Sequence, residues 1–300
     1  MKRGFLFASL LAVACMVPTK PAWAQPQTES GHFTTSDGVR LHYLEAGSGP
    51  LLVFVPGWTM PAEIWDFQIR HFAASYRVVA LDPRGHGRSE KPAYGYFPSR
   101  RGQDIGELLD HLGGEPAVVV AWSLGVQETL VFTQEHGTRN VRALVLVDWD
   151  IIDTEPEYFT SRFISLQVER EEWTRKFVRI IFRNPPSEEY LEAITKAALS
   201  VPTNATAIMI GNIILMGPND LSPVLDSLDR PVLFVYSSLD WAVEASAEAR
   251  DHWPDSGVEV IEESSHALFV DQPGRFNQVL EEFIATLPRS RERVGQSAFD

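Results

Sequence analysis

Short apolar runs alternate with segments of helical periodicity along most of the chain. The apolar runs occupy residues 51–55, 77–81, 117–120, 143–147, 232–236 and 258–261, and the helical segments occupy residues 64–72, 103–112, 126–136 and 276–287. Runs without polar alternation are typical of parallel strands that are covered on both faces. The pattern therefore predicts an α/β fold, with a mostly parallel twisted sheet and helices on both of its faces.

Two segments depart from this alternation. Residues 32–36 and 40–45 flank Asp37-Gly38, a strong turn pair, and predict a hairpin ahead of the parallel strands. Between Asp148 and about Ser227 the chain has apolar residues at helical spacing and no clear strand. We interpret residues 149–227 as a helical cap inserted into a core that comprises residues 25–148 and 228–287. The charged residues 288–300 lack periodicity and are expected to form a flexible tail.

The first 24 residues have the pattern of an export signal. Lys2-Arg3 precede an apolar stretch at residues 4–17, and Ala22-Trp23-Ala24 matches the small-x-small site that signal peptidase recognises. The apolar stretch is short for a membrane span. We expect cleavage after Ala24 and a periplasmic or secreted protein. An uncleaved anchor, a disordered N-terminus and a lipoprotein attached through Cys15 are the alternatives.

Composition narrows the possible partners. The formal net charge is −14, and cleavage after Ala24 would remove three basic residues and no acid. An acidic chain repels phosphate backbones, so a nucleic-acid partner is not expected. Cys15 is the single cysteine and would leave with the signal, which excludes disulfides and thiolate chemistry from the mature chain. No metal-ligand spacing or phosphate-binding glycine loop occurs, so we expect no cofactor. Because the N-terminal apolar stretch is short, we also expect no stable membrane span. The oligomeric state stays open.

The segment Ala121-Trp122-Ser123-Leu124-Gly125 carries the strongest chemical signal. It joins the apolar run 117–120 to the helical segment 126–136. A serine at a sharp strand-to-helix turn is exposed at the top of the sheet, and small neighbours let strand and helix pass closely. Ser123 is therefore the candidate nucleophile.

A serine nucleophile needs a histidine base and an acid that orients it. His266 lies after the last apolar run and before the closing helix, so it should reach the edge where Ser123 lies. Asp240, after the run 232–236, is our preferred acid. Asp148, after the run 143–147, points to the same edge and is the alternative, although a place near the pocket or the cap entry suits it as well.

The remaining candidates surround these three residues. An oxyanion hole requires two backbone N–H groups, which we assign to Leu124 and to Trp58 in the loop after residues 51–55. Trp122, Trp149 and Trp241 each lie beside a proposed edge residue and are candidates for an apolar substrate pocket. Packing of the cap against the sheet would explain the same tryptophans equally well.

One loop adds a family resemblance. Asp82-Pro83-Arg84-Gly85-His86-Gly87-Arg88-Ser89 closely resembles the D-x-R-G-x-G-x-S loop of the α/β-hydrolase superfamily. The resemblance spans residues 32–287, and the esterase, lactonase, cofactor-free haloperoxidase and epoxide-hydrolase-like branches are the most similar. It implies a structural role for His86. Two residues depart from the family pattern, namely Pro56 in place of the usual His and Ala121 in place of Gly.

Ser123 stands where haloalkane dehalogenases and epoxide hydrolases of this fold carry Asp, which favours acyl transfer. The leading hypothesis is hydrolysis of a carboxylic ester or lactone with an apolar acyl group through an acyl-enzyme. Peracid formation or cofactor-free haloperoxidase chemistry by the same residues is the closest rival. A carbon–carbon bond hydrolase and a ligand-binding protein without catalysis are the other hypotheses.

Overall fold

The computed structural model describes residues 27–152, 156–216 and 220–288. The predicted signal peptide and residues 289–300 of the predicted tail lie outside these ranges. The described strands are β1 (Glu29–Thr34), β2 (Arg40–Gly47), β3 (Leu51–Val55), β4 (Arg77–Asp82), β5 (Ala117–Trp122), β6 (Val141–Val147), β7 (Val232–Ser237) and β8 (Gly257–Ile261). The described helices are α1 (Asp66–Phe72), α2 (Pro98–His111), α3 (Leu124–His136), α4 (Pro156–Val168), α5 (Arg170–Ile180), α6 (Glu188–Ser200), α7 (Thr203–Met216), α8 (Ser222–Asp226), α9 (Asp240–His252), α10 (Leu268–Asp271) and α11 (Pro273–Thr286).

The described strands form one sheet in the order β1-β2-β4-β3-β5-β6-β7-β8. β1 and β2 form the predicted hairpin, with Thr34 opposite Arg40, and β2 pairs antiparallel with β4. All remaining neighbours are parallel. The predicted fold class is therefore confirmed, and the parallel order brings the carboxyl ends of β5 to β8 to one edge.

The central strands have no solvent-exposed face. Every residue of β3, β5 and β7 is buried. Side chains alternate between the two faces of a strand. In β5, Val119 and Ala121 therefore pack in one apolar layer, while Val118, Val120 and Trp122 pack in the other. This double burial explains why these strands read as continuous apolar runs.

The segment between β6 and β7 contains five described helices, α4 to α8, and no strand among its described residues. Leu166 of α4 and Met209, Ile210 and Ile213 of α7 are buried in the same layer as Val119 of β5. The helices of this segment therefore pack on the core through apolar side chains. Among the described residues no single helix is long and apolar enough to cross a membrane, while α6 and α7, bent by 86°, pass that test only as a pair.

Some helix boundaries differ from the sequence-based expectation. α2 begins at Pro98, five residues before the predicted start, where a proline without an N–H fits the first helical turn. Residues 62–65 form a 3₁₀ turn before α1. α9 was not predicted at all, and it begins directly at Asp240.

Candidate active site

Ser123 lies between the end of β5 and the start of α3. Its backbone adopts φ 55° and ψ −129°, a conformation that L-residues rarely occupy. The Ser123 N–H donates to Val147 O (2.9 Å), which ties the turn to β6. A Cβ at position 125 would lie 2.8 Å from Pro56 O, so the turn requires glycine there. The strained turn holds the hydroxyl at the carboxyl edge of the sheet.

His266 lies in the loop between β8 and α10. Its Nε2 is 2.9 Å from Ser123 Oγ, and its Nδ1 is 2.7 Å from Asp148 Oδ2. The carboxylate can only accept, so Nδ1 carries the proton and Nε2 accepts from the serine hydroxyl. The His266 carbonyl accepts a hydrogen bond from the Trp122 indole (2.8 Å), which fixes the backbone of this loop to β5.

Asp148 follows the last residue of β6 and is fully buried. Its φ of 50° turns the chain directly after the strand. Oδ1 accepts from the Ser237 N–H of β7 (2.6 Å), which leaves Oδ2 for His266. The carboxylate is therefore oriented by two neighbouring elements, and it presents one oxygen to each.

The structure corrects the choice of Asp240 as the acid, because His266 Nδ1 contacts Asp148 instead. Asp240 is the first residue of α9, where its side chain is exposed and its charge suits the positive end of the helix dipole. None of the hydrogen bonds found among the described residues joins Asp240 to His266. Only Ser238 and Leu239 separate β7 from α9, so Asp240 lies in the first turn of a helix and not in a loop at the sheet edge.

The two proposed oxyanion donors lie next to the serine. Leu124 is the first residue of α3, and N–H groups of a first helical turn have no partner within the helix. A Cβ at Gly57 would lie 2.8 Å from Ser123 Cβ and 3.3 Å from Oγ, so the loop before Trp58 passes directly over the nucleophile. No hydrogen bond from the Trp58 N–H occurs within the described part of the chain. Leu124 and the loop that carries Trp58 therefore both lie beside the nucleophile.

The tryptophans near the site occupy different environments. Trp122 is 1% exposed and packs edge-on against Phe269 in the core, which corrects its assignment to a substrate pocket. Its indole instead supports the His266 loop. Trp149 is also buried and packs near Phe159 of α4, with ring centroids 6.3 Å apart. Trp241 is 39% exposed, and its ring lies 6.4 Å from that of His266.

The side chain of Trp58 reaches the inserted helices. Its ring makes edge-to-face contacts with Trp173 and Phe177 of α5, at centroid distances of 5.4 and 5.3 Å. Its indole N–H donates to Thr206 O of α7 (3.3 Å). The proposed donor residue therefore joins the sheet edge to the helices above it, and the surroundings are largely aromatic.

A second serine, histidine and aspartate also lie in hydrogen-bond contact. Ser30 Oγ is 3.1 Å from His42 Nε2, and His42 Nδ1 is 2.8 Å from Asp82 Oδ2. Ser30 lies on the extended edge strand β1, and its oxygen accepts from the Arg88 guanidinium (2.7 Å). Asp82 also accepts from the Ala62 and Arg88 N–H groups. This set joins β1, β2 and β4 and lacks the strained turn found at Ser123.

The site around Ser123 can transfer a proton from the serine hydroxyl to His266 and stabilise the resulting imidazolium through Asp148. Among the described residues, no group of three or more His, Cys, Asp or Glu side chains could hold a metal ion. The arrangement is the general one for nucleophilic attack on a carbonyl.

Comparison with known proteins identifies the family. The model of the alpha/beta hydrolase family matches residues 52–279. The chain is 29% identical to the non-heme chloroperoxidase CPO-A1 of Kitasatospora aureofaciens, over 84% of this chain and 98% of the relative. It is 24% identical to a pimeloyl-[acyl-carrier protein] methyl ester esterase of Vibrio campbellii, over 82% and 98% respectively. The crystal structure of a Rhodococcus esterase, 25% identical, superposes with a TM-score of 0.75 and covers 86% of this chain and 99% of its own. The chain belongs to the α/β-hydrolase family.

Proposed function

We propose that the protein hydrolyses a carboxylic ester or lactone with an apolar acyl group, through an acyl-enzyme on Ser123. The observation that carries this proposal is the continuous contact from Ser123 Oγ to His266 Nε2 (2.9 Å) and from His266 Nδ1 to Asp148 (2.7 Å). The esterases among its relatives and structural neighbours support the same reaction class.

In the first half-reaction, Ser123 Oγ attacks the ester carbonyl carbon while His266 Nε2 takes the hydroxyl proton. The tetrahedral oxyanion accepts hydrogen bonds from the Leu124 and Trp58 N–H groups. His266 then gives its proton to the leaving alkoxide, the ester C–O bond breaks, and the alcohol departs. In the second half-reaction a water molecule attacks the acyl-enzyme with His266 as base, which releases the acid and restores the serine hydroxyl.

The preference for an apolar acyl group rests on the surroundings of the donor and acid residues. Trp58 packs against two aromatic rings of α5, and Trp149 packs against a phenylalanine of α4. Aromatic and aliphatic linings dominate sites that bind uncharged small molecules.

The test is active-site labelling combined with kinetics. A fluorophosphonate probe should form an adduct on Ser123 that mass spectrometry locates, and Ser123→Ala should abolish both labelling and hydrolysis of p-nitrophenyl esters. Ser30→Ala is the matched control, because Ser30 also contacts a histidine but lies away from the strained turn. It should keep the labelling and the activity of the wild type. Ester hydrolysis that survives in Ser123→Ala would refute the proposal.

Perhydrolysis is a second candidate, favoured by the similarity to a non-heme chloroperoxidase along 98% of that protein's length. Hydrogen peroxide would replace water in the second half-reaction and release a peracid, which oxidises bromide. Bromination of a dimedone reporter in acetate, peroxide and bromide measures this activity. A bromination rate that depends on Ser123 and exceeds the rate of ester hydrolysis would make perhydrolysis the main reaction. Absence of bromination would leave ester hydrolysis as the proposed reaction.

We also propose that the protein is exported and cleaved after Ala24, since Lys2-Arg3, the apolar stretch and Ala22-Trp23-Ala24 occur in the order that signal peptidase substrates require. N-terminal sequencing of the protein from a periplasmic fraction should begin at Gln25. Recovery of the full chain from the cytoplasm would refute this assignment.

A further inference from the structure

The loop formed by residues 56–59 carries the Trp58 N–H, one of the two proposed oxyanion donors. Pro56 has no N–H, and Gly57 has no side chain. Thr59, at φ 62°, occupies a left-handed conformation that a threonine adopts only when its surroundings impose it. The direction of the Trp58 N–H therefore depends on the contacts of the adjoining peptide groups.

Three hydrogen bonds fix those peptide groups. The Gly57 carbonyl accepts from the Met60 N–H (3.2 Å), which sets the plane that also carries the Trp58 N–H. The Trp58 carbonyl accepts from Thr59 Oγ1 (2.7 Å). The N–H of the same peptide, that of Thr59, donates to His86 Nε2 (2.9 Å). The peptide between Trp58 and Thr59 is thus held at both of its polar ends.

His86 is suited to hold this N–H without exchanging protons. It is fully buried, and its Nδ1 lies 2.9 Å from Arg84 O. A carbonyl only accepts and a backbone N–H only donates, so Nδ1 carries the proton and Nε2 offers a lone pair. Burial, together with the nearby Arg101 charge, lowers the pKa of His86 to about 3, which keeps the imidazole neutral near pH 7.

The hydrogen bonds that hold His86 also extend to α3, the helix that begins with the second proposed oxyanion donor, Leu124. Arg84 O accepts from Arg101 Nη1 (3.3 Å) as well as from His86. The Arg101 guanidinium forms a fully buried two-pronged pair with Glu128 of α3. α3 starts at Leu124. One hydrogen-bonded network therefore connects both proposed oxyanion donors.

We infer that His86 is a positioning residue for the reaction: its Nε2 acceptor holds Thr59 N–H and thereby aims the Trp58 N–H at the oxyanion. His86 touches no reacting atom. The inference rests on the proposed acyl transfer at Ser123. It assigns a function in the reaction to a histidine of the D-x-R-G-x-G-x-S loop.

Two substitutions separate the two bonds of the imidazole. Glutamine places a carbonyl oxygen near the position of Nε2, so His86→Gln can still accept from Thr59 N–H. Asparagine places an amide nitrogen near the position of Nδ1, so His86→Asn keeps the bond to Arg84 O and loses the acceptor. Each variant loses one of the two buried hydrogen bonds of His86, so the pair compares the two bonds directly.

Complete loss of one oxyanion donor costs about 10²–10³ in kcat. A misdirected donor should cost part of that, so we expect His86→Asn to lower kcat about 10–100-fold with little change in KM. His86→Gln should recover most of that loss. Binding of a boronic acid, which forms a tetrahedral adduct on serine, should weaken in His86→Asn by a similar factor, while binding of the product acid should not change.

Equal kcat values for the asparagine and glutamine variants would overturn the inference, as would a loss confined to KM. If His86→Asn does not fold, His86→Gln alone tests the acceptor: it should keep kcat within a few-fold of the wild type, and a loss of kcat of about 10–100-fold there would also overturn the inference. A wild-type protein that neither takes the phosphonate label nor cleaves any ester would instead refute the proposed function itself.

Discussion

Replacing Asp148 by asparagine should nearly abolish turnover while preserving the shape of the site. Asp148 Oδ1 accepts from the Ser237 N–H (2.6 Å), so an asparagine must turn its carbonyl oxygen toward Ser237. Its amide nitrogen then faces His266 Nδ1 and donates to it. The imidazole must carry its proton on Nε2, where it can no longer accept the proton of Ser123.

The size of this effect follows from the tautomer. In a serine protease, the equivalent Asp-to-Asn change lowers kcat about 10⁴-fold with intact geometry. A loss of about 10⁴ corresponds to about 5 kcal/mol of transition-state stabilisation. We expect a loss of that order for Asp148→Asn in the kcat for p-nitrophenyl ester hydrolysis. The melting temperature should change little, because asparagine keeps the bond to Ser237.

Asp240→Asn is the matched control, since it makes the same chemical change at the exposed start of α9. It should retain kcat within about twofold, as expected for a surface substitution that touches no buried or reacting group. A large loss in Asp240→Asn together with an active Asp148→Asn would show that the acid comes from β7 in solution. That result would refute the assignment of Asp148.

Three further predictions concern the same fold. Ser123→Gly should unfold at higher urea concentration than Ser123→Ala, by about 1 kcal/mol in the free energy of unfolding, because glycine relieves the φ of 55°. Trp122→Phe should lower the free energy of unfolding by about 1–3 kcal/mol and also lower kcat, since the part-buried His266 carbonyl loses its donor; urea titration and kinetics check both effects. Burial alone would raise the pKa of Asp37, but the hydrogen bonds from Arg84 and Thr35 and the charges of Arg84 and Arg100 together outweigh it and lower that pKa to about 2. The stabilisation that the Asp37 carboxylate gives is present above its unfolded pKa and disappears as pH falls from about 4 to about 2. Asp37→Asn should therefore make the free energy of unfolding less dependent on pH in this range.

The sequence was sufficient for the sheet, the nucleophile candidate and its histidine partner. Double burial turns the parallel strands into continuous apolar runs, and these runs fix where the carboxyl edge lies. Ser123 and His266 follow such runs directly or after a short loop, so proximity at the edge could be inferred. The family assignment is confirmed by the match over residues 52–279.

The acid could not be chosen from sequence because two aspartates follow neighbouring strands. What separates them is local backbone geometry. Asp148 has a positive φ and a donor from β7 that orients one oxygen, while Asp240 enters α9 at once. Helical spacing after β7 would have revealed α9, but no residue pattern indicates the positive φ at Asp148. Trp122 was misplaced for a related reason, since it shares a face of β5 with Val118 and Val120 rather than pointing at substrate.

The inserted helical segment between β6 and β7 has a consequence for how this enzyme family can diversify. The segment leaves and rejoins the core at neighbouring points, because the Leu221 N–H donates to Ile151 O (2.9 Å). A segment with neighbouring ends can lengthen at small entropic cost, since doubling a loop adds only about 0.6 kcal/mol. Ser123 and Asp148 both precede it, and His266 is fixed from β5 through Trp122. Selection can therefore change the inserted helical segment, and with it the range of substrates, while the reacting groups keep their positions.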